Sequence, residues 1–161
     1  ADFLPRAVAD GSDLVARSQM LAAASMGSTA FQKGLGAIHA MSHPVGARYD
    51  THHGLTNAVI MPYVMMYNRP AIAEKMDHLA AYLELGGSTG GFDTVLGWIL
   101  TLRDQLDIPL TLAEIGVQAA DLDTLAEAAA KDPTAASNPV PLDIAALRRL
   151  FGHAETGTLA R

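Results

Sequence analysis

The chain has no cysteine, which excludes disulfides, thiolate nucleophiles, iron–sulfur clusters and every cysteine-ligated zinc site. Any metal must therefore sit on histidine and oxygen. Positive charge is also scarce: 11 Lys and Arg stand against 17 Asp and Glu, a net charge of −6, which argues against a nucleic-acid backbone as partner. No basic stretch followed by an apolar run and a small-residue cleavage site opens the sequence, so a soluble cytoplasmic protein is the expectation. The longest run free of charge, from Thr51 to Asn68, has 18 residues. It contains Thr51, His52, His53, Asn57 and Pro62, unlike a membrane span of about 20 mostly apolar residues, and reads as a buried helix.

Half of the 161 residues are apolar, enough for one domain with a real core. Charge is unevenly spread: from Ser18 to Asn68 only Lys33, Arg48 and Asp50 are charged, so this stretch reads as interior. His39, His43, His52 and His53 fall inside it. Imidazoles in apolar surroundings cost free energy unless something bonds to them, so these four require partners.

Apolar residues recur at three and four along the chain without strand-like alternation, which predicts an all-α domain. Ser12 or Asp13 caps a helix to about Phe31. A second runs to His43, where Pro44 and Gly46 turn the chain. The next spans about His53 to Asn68, with Pro62 allowing a kink, and Pro70 opens another to Leu85. Gly86 to Gly91 reads as a linker rather than a phosphate loop, because the Lys and Ser or Thr that end a P-loop are missing. Gly34-Leu35-Gly36 likewise has His39 where a dinucleotide fingerprint needs glycine. Further helices are expected from Phe92 to Leu106, Gln118 to Lys131 and Leu142 to Gly152, with a loose tail from His153. Met61, Met65 and Met66 read as core filler, and His78 and His153 as surface. The opening residues Ala1 to Val8 read as the end of an amphipathic element already under way, as in a piece of a longer chain.

The strongest chemical constellation is His39 and His43, followed ten residues later by His53. Positions i and i+4 share a helical face about 6 Å apart. A histidine at a helix N-terminus is held toward the neutral form that a metal needs. Three convergent histidines thus make a candidate metal site, although His52 or His53 can equally serve as a helix cap. Ala40 after His39 excludes the H-E-x-x-H zinc-protease pattern. By spacing alone, Asp50 is the nearest candidate carboxylate ligand. Gly36 and Gly46 on the same face allow a planar ligand or a second backbone close approach.

The run Gly34-Leu35-Gly36-Ala37-Ile38-His39-Ala40-Met41-Ser42-His43-Pro44-Val45-Gly46-Ala47, followed by His53-Gly54-Leu55-Thr56-Asn57-Ala58-Val59-Ile60-Met61-Pro62, closely resembles the signature of the iron-containing (group III) alcohol dehydrogenases. Similarity of pattern extends from Leu4-Pro5-Arg6-Ala7 to the Asn138-Pro139 turn and the closing helix. The resemblance implies that residues 1–161 form the helical C-terminal half of a two-domain enzyme, a bundle like that family's metal-binding domain. It implies NAD or NADP as cofactor, a divalent metal (Fe2+, or Zn2+), and an alcohol exchanged for an aldehyde or ketone by metal polarisation and hydride transfer. His39 and His53 would be two of four metal ligands, and His43 would stand near the nicotinamide and substrate as a catalytic and cofactor-binding residue. The other two ligands, from an Asp-x-x-x-His helix, and the nucleotide-binding domain are not in this sequence. They replace Asp50 as the expected source of a carboxylate.

The resemblance further implies that the chain alone is inactive and binds metal poorly, and that the face carrying His39, His43 and Gly36, shaped to be covered, makes it self-associate into a homo-oligomer. Two other readings stand beside it: a zinc-dependent relative of the glycerol dehydrogenase or dehydroquinate synthase type, since imidazoles do not choose iron over zinc, and a non-catalytic helical module that binds a partner.

Overall fold

The computed structural model describes residues 2–86 and 91–159. Among these residues every regular element is helical, as the apolar spacing predicts: α1 (Phe3–Ala9), α2 (Leu14–Ala30), α3 (Gly36–Tyr49), α4 (His53–Tyr82), α5 (Gly91–Gln105), α6 (Leu122–Ala130) and α7 (Ile144–Thr156), with short 3-10 turns between several of them. No helix is long and apolar enough to cross a membrane among the described residues.

The chain divides into two compact units, residues 1–34 and 35–161. The first is the pair α1 and α2. Asp13 joins them twice: Oδ1 accepts from the Ala16 amide at 2.9 Å, capping α2, and Oδ2 takes the Arg6 guanidinium of α1 at 2.7 Å. Of the cap candidates, Asp13 serves because its backbone leaves the helical region (φ −68°, ψ 89°) and its carboxylate meets both the free amide and the helix dipole. Val8, Leu14, Val15, Leu21, Met26 and Phe31 of this unit are exposed.

In the second unit, α4 is the spine. Its first half packs with α3, α6 and α7 around Met41, Val45, Val59, Ile60, Leu125, Leu147 and Phe151, all buried. Its second half packs with α5 around Met65, Phe92, Val95 and Leu96, with Met61 and Met66 filling the margin as the sequence suggests. The end of α3 is tied to the start of α6 by Asp121, which accepts two hydrogen bonds from Arg48 and one from the Tyr49 hydroxyl. These partners, Arg48 foremost, hold the Asp121 carboxyl below its ordinary pKa.

Prolines mark the main departures from the sequence reading. The helix predicted to end at His43 runs through Pro44 to Tyr49, where Asp50 in the left-handed region (φ 53°) closes it. The helices predicted on either side of Pro70 are one element, and it ends at Tyr82 rather than Leu85. An interior proline removes one hydrogen bond and crowds the preceding turn, a cost of about 3 kcal/mol in an isolated helix. Here burial offsets it: Met41 and Val45 flank Pro44 with no exposure at all, each worth about 1.5–3 kcal/mol. The expected helix from Gln118 begins as a 3-10 turn, with α6 proper starting at Leu122. The expected loose tail is also corrected. Residues from His153 to Thr156 complete α7, Ala154 is fully buried and its carbonyl accepts from the Leu112 amide at 2.8 Å. The linker at Gly86 to Gly91 lies mostly outside the described residues.

Segment 132–138 fastens the beginning of α3. The Ser137 hydroxyl accepts from the Gly36 amide and Asn138 Oδ1 from the Ala37 amide, each at 3.1 Å. Asn138 also pairs reciprocally with buried Asn68 of α4, accepting at 3.0 Å and donating at 2.8 Å, and donates to the Val140 carbonyl at 2.7 Å. Gly36 adopts φ +66°, and a Cβ there would stand 3.1 Å from Asn138 Oδ1. The second backbone that this glycine admits is therefore the chain's own, and Gly36 is buried beneath it. Replacing Asn138 by alanine strands the buried Asn68 amide and the Ala37 helix-start donor, and we expect a loss of about 3 kcal/mol, measured by urea denaturation. Gly36→Ala is expected to destabilise in the same assay, through φ strain and the same contact.

Candidate functional site

The three histidines of the sequence motif converge. His39 and His43 project from successive turns of α3, and His53 is the first residue of α4. Their ring centroids form a near-equilateral triangle: His39 to His43 5.8 Å, His39 to His53 5.2 Å, and His43 to His53 5.5 Å. The His43 and His53 rings are nearly parallel at 15°. Two helices meet here because only Asp50, Thr51 and His52 separate them. Thr56 Oγ1 donates to Thr51 Oγ1 at 2.8 Å, which braces the corner. His52 is the cap of α4, its Nδ1 accepting from the Leu55 amide at 3.3 Å. That division of labour leaves the His53 ring available to face α3.

Asn57, one turn beyond His53, joins two of the rings. Its amide nitrogen lies 3.3 Å from His39 Nε2 and 3.0 Å from His53 Nε2. With both amide hydrogens directed at imidazoles, both Nε2 atoms present lone pairs toward one point. Asn57 Oδ1 is buried with no partner among the described residues, an arrangement costing about 1–3 kcal/mol. His39 is half-buried and is held below the ordinary imidazole pKa, first by burial and next by the neighbouring His53; a hydrogen bond with the Leu35 backbone opposes this. Such a ring keeps its lone pair to lower pH than an ordinary imidazole does.

His43 has a different partner. Its Nδ1 is 2.8 Å from Oδ2 of Asp132, a residue 89 positions away. The other oxygen of Asp132 accepts from the Thr134 amide at 2.8 Å and the Thr134 hydroxyl at 2.6 Å. Burial pulls the Asp132 carboxyl upward, but the bonds from Thr134 and His43 outweigh it and leave the group below its ordinary value. The four histidines that needed partners thus have them: Asn57 and Leu35 for His39, Asp132 for His43, a backbone amide for His52, and Asn57 for His53.

Asp132 was not singled out by its sequence. Asp-Pro-Thr reads as a turn cap, which it is, and nothing local foretells that it meets His43. Asp50 is the left-handed cap of α3 and is exposed. Among the described residues, no three His, Cys, Asp or Glu side chains are disposed to hold a metal ion by themselves, so neither Asp50 nor the histidine trio completes a shell. The two converging Nε2 atoms fit a divalent metal as part of a donor set, imidazole nitrogen being suited to iron and zinc alike. His78 is exposed as expected, whereas His153 is half-buried in α7, where it lines a cleft with Tyr63, Tyr67 and Arg149.

Comparison with known proteins agrees with this geometry. Residues 1–154 match the model of the Fe-containing alcohol dehydrogenase family, C-terminal. The chain is 40% identical over 143 residues to the 1,3-propanediol dehydrogenase of Citrobacter freundii, covering 84% of this chain and 36% of that one. It is 38% identical over 145 residues to the NAD-dependent methanol dehydrogenase of Bacillus methanolicus, covering 86% and 38%. Among solved structures, a 1,3-propanediol oxidoreductase superposes with a TM-score of 0.87 at 36% identity, covering 94% of this chain and 41% of that one. An alcohol dehydrogenase from Oenococcus oeni gives 0.85 at 34%, with the same coverage. The chain thus spans little more than a third of the length of the curated relatives it matches. With the bundle, the paired imidazoles and these likenesses in agreement, the chain belongs to the Fe-containing alcohol dehydrogenase family, as its helical C-terminal domain.

Proposed function

We propose that this chain is the metal-side domain of an NAD(P)-dependent dehydrogenase that interconverts an alcohol and an aldehyde or ketone. His39 and His53 serve as two ligands of a divalent metal, and His43 lines the place where substrate and nicotinamide meet. The observation that carries the reading is the Asn57 amide held by both Nε2 atoms. Two imidazoles aimed at one point are a ligand pair in waiting, and Asn57 keeps them aimed. When bound, the metal supplies Lewis-acid polarisation of the substrate oxygen.

The chain's own residues do the rest by position. α3 and α4 fix the separation of the two ligands. His39, kept neutral by burial, holds its lone pair at pH values where an ordinary imidazole is half protonated. Asp132 anchors His43, whose side chain is 41% exposed, as suits a residue that must reach a ligand. The remaining metal ligands and the dinucleotide site come from the rest of the enzyme, as the length of the relatives allows.

The purified 161-residue chain should therefore show no alcohol-dependent reduction of NAD or NADP and should bind Fe2+ or Zn2+ weakly by titration calorimetry; turnover by this chain alone would overturn the proposal. In the enzyme containing it, His39→Ala and His53→Ala should each strip metal, read by elemental analysis, and lower kcat/KM by about 10³-fold or more. Retention of a full metal complement in both variants would exclude the ligand assignment.

A pH signature follows from His39. Its folded pKa lies below the ordinary value of about 6.5, so the unfolded chain binds the proton more readily. The stability contributed by the neutral ring is complete above about pH 6.5 and is lost as pH falls below it. Between about pH 7 and pH 5, metal-free chain carrying His39→Gln should lose less stability than the parent, measured by urea midpoints at the two pH values.

A further inference from the structure

The structure assigns Asp132 as a positioning residue for His43: by holding Nδ1–H, it fixes the ring's tautomer and turns Nε2 outward as an acceptor for a ligand hydroxyl. This deepens the proposed function and rests on the placement of His43 given there.

Three observations carry it. The first is the bond itself, 2.8 Å between His43 Nδ1 and Asp132 Oδ2, made across 89 positions. The second is how Asp132 is held. Its Oδ1 is occupied by the Thr134 amide and hydroxyl, at 2.8 and 2.6 Å, so the carboxylate plane is set by its own turn and Oδ2 alone is left for the imidazole. The third is that this turn is fastened to the helix that bears His43, through Ser137 to Gly36 and Asn138 to Ala37, both at 3.1 Å. Helix and carboxylate therefore form one frame, and the ring is held from both ends.

The tautomer follows from acid–base chemistry. Asp132 is held below its ordinary pKa, so near neutral pH it is a carboxylate with no proton to give. The proton in the hydrogen bond must then belong to Nδ1, so whenever the ring carries a single proton its Nε2 is left with a free lone pair. His39 and His53 are aimed by a donor, Asn57, and His43 by an acceptor, Asp132. Opposite partners thus separate the proposed ligands from the proposed substrate-facing ring.

Asp132→Asn is the discriminating substitution. The amide oxygen can keep both Thr134 bonds, while the amide nitrogen faces His43 and donates to Nδ1, which forces the ring proton onto Nε2. Ring 15N chemical shifts of His43 in this chain, recorded above about pH 8 where an ordinary imidazole is neutral, should show the Nδ1–H form in the parent and the Nε2–H form in Asp132→Asn. The midpoint of thermal unfolding should move by no more than about 4 °C. In the enzyme containing the chain, Asp132→Asn should lower kcat by about 10²-fold with KM changed less than threefold, a split that a purely structural role would not produce. An Nε2–H ring in the parent overturns the inference whether or not the variant folds, as does an unchanged tautomer or an unchanged kcat in a folded Asp132→Asn. A His43→Ala enzyme with full activity would instead overturn the placement of His43 and leave the tautomer result standing, so the two failures are distinguishable.

Discussion

The grip of segment 132–138 on α3 is the constraint on which the arrangement depends. One short stretch of chain caps the start of the helix through Ser137 and Asn138, reaches α4 through Asn68, and meets His43 through Asp132. Helix starts leave amides unpaired, and a side chain arriving from elsewhere satisfies them only if the backbone comes close. Gly36 permits that approach. The direction of α3, and with it the aim of His39 and His43, is therefore set by residues about a hundred positions downstream as much as by its own sequence.

The electrostatics divide along the same lines. An ion pair such as Arg48 with Asp121 sits at the surface, where its contribution to stability is small, but it locates the end of α3 against α6. The start is located by neutral hydrogen bonds in more buried surroundings, where leaving a donor unpaired is costly. A helix pinned at one end by amides and at the other by a guanidinium has little freedom to rotate about its axis, and rotation is what would carry the imidazoles out of register.

Much of this was legible in the sequence wherever the determining contacts are local. The helical periodicity, the cap at Asp13, the packing role of Met61, Met65 and Met66, and the convergence of His39 with His43 all follow from neighbours within a turn or two. The errors arose where burial outweighed a local preference. Pro44 and Pro70 read as breaks, yet the helices run through both, and around Pro44 Met41 and Val45 are needed in the core. His153 and the end of α7 read as a loose tail because the Leu112 amide that holds the Ala154 carbonyl lies 42 positions away. Asp132 and Asn138 carried no signal of their roles, since a turn-capping Asp or Asn looks the same whether or not its free atoms meet a distant helix.

The corner formed by Asp50, Thr51 and His52 gives the imidazole pair one further property. His39 and His53 are only 14 positions apart, joined by a helix end and a braced turn, so bringing their rings together closes a short loop. The entropy lost in such a closure grows only with the logarithm of loop length and is small here, whereas Asp132 must be recruited across the whole domain. In a chain collapsing from the unfolded state, the two imidazoles can therefore meet before the bundle is complete, whereas the contact of Asp132 with His43 waits for the far end of the domain to arrive.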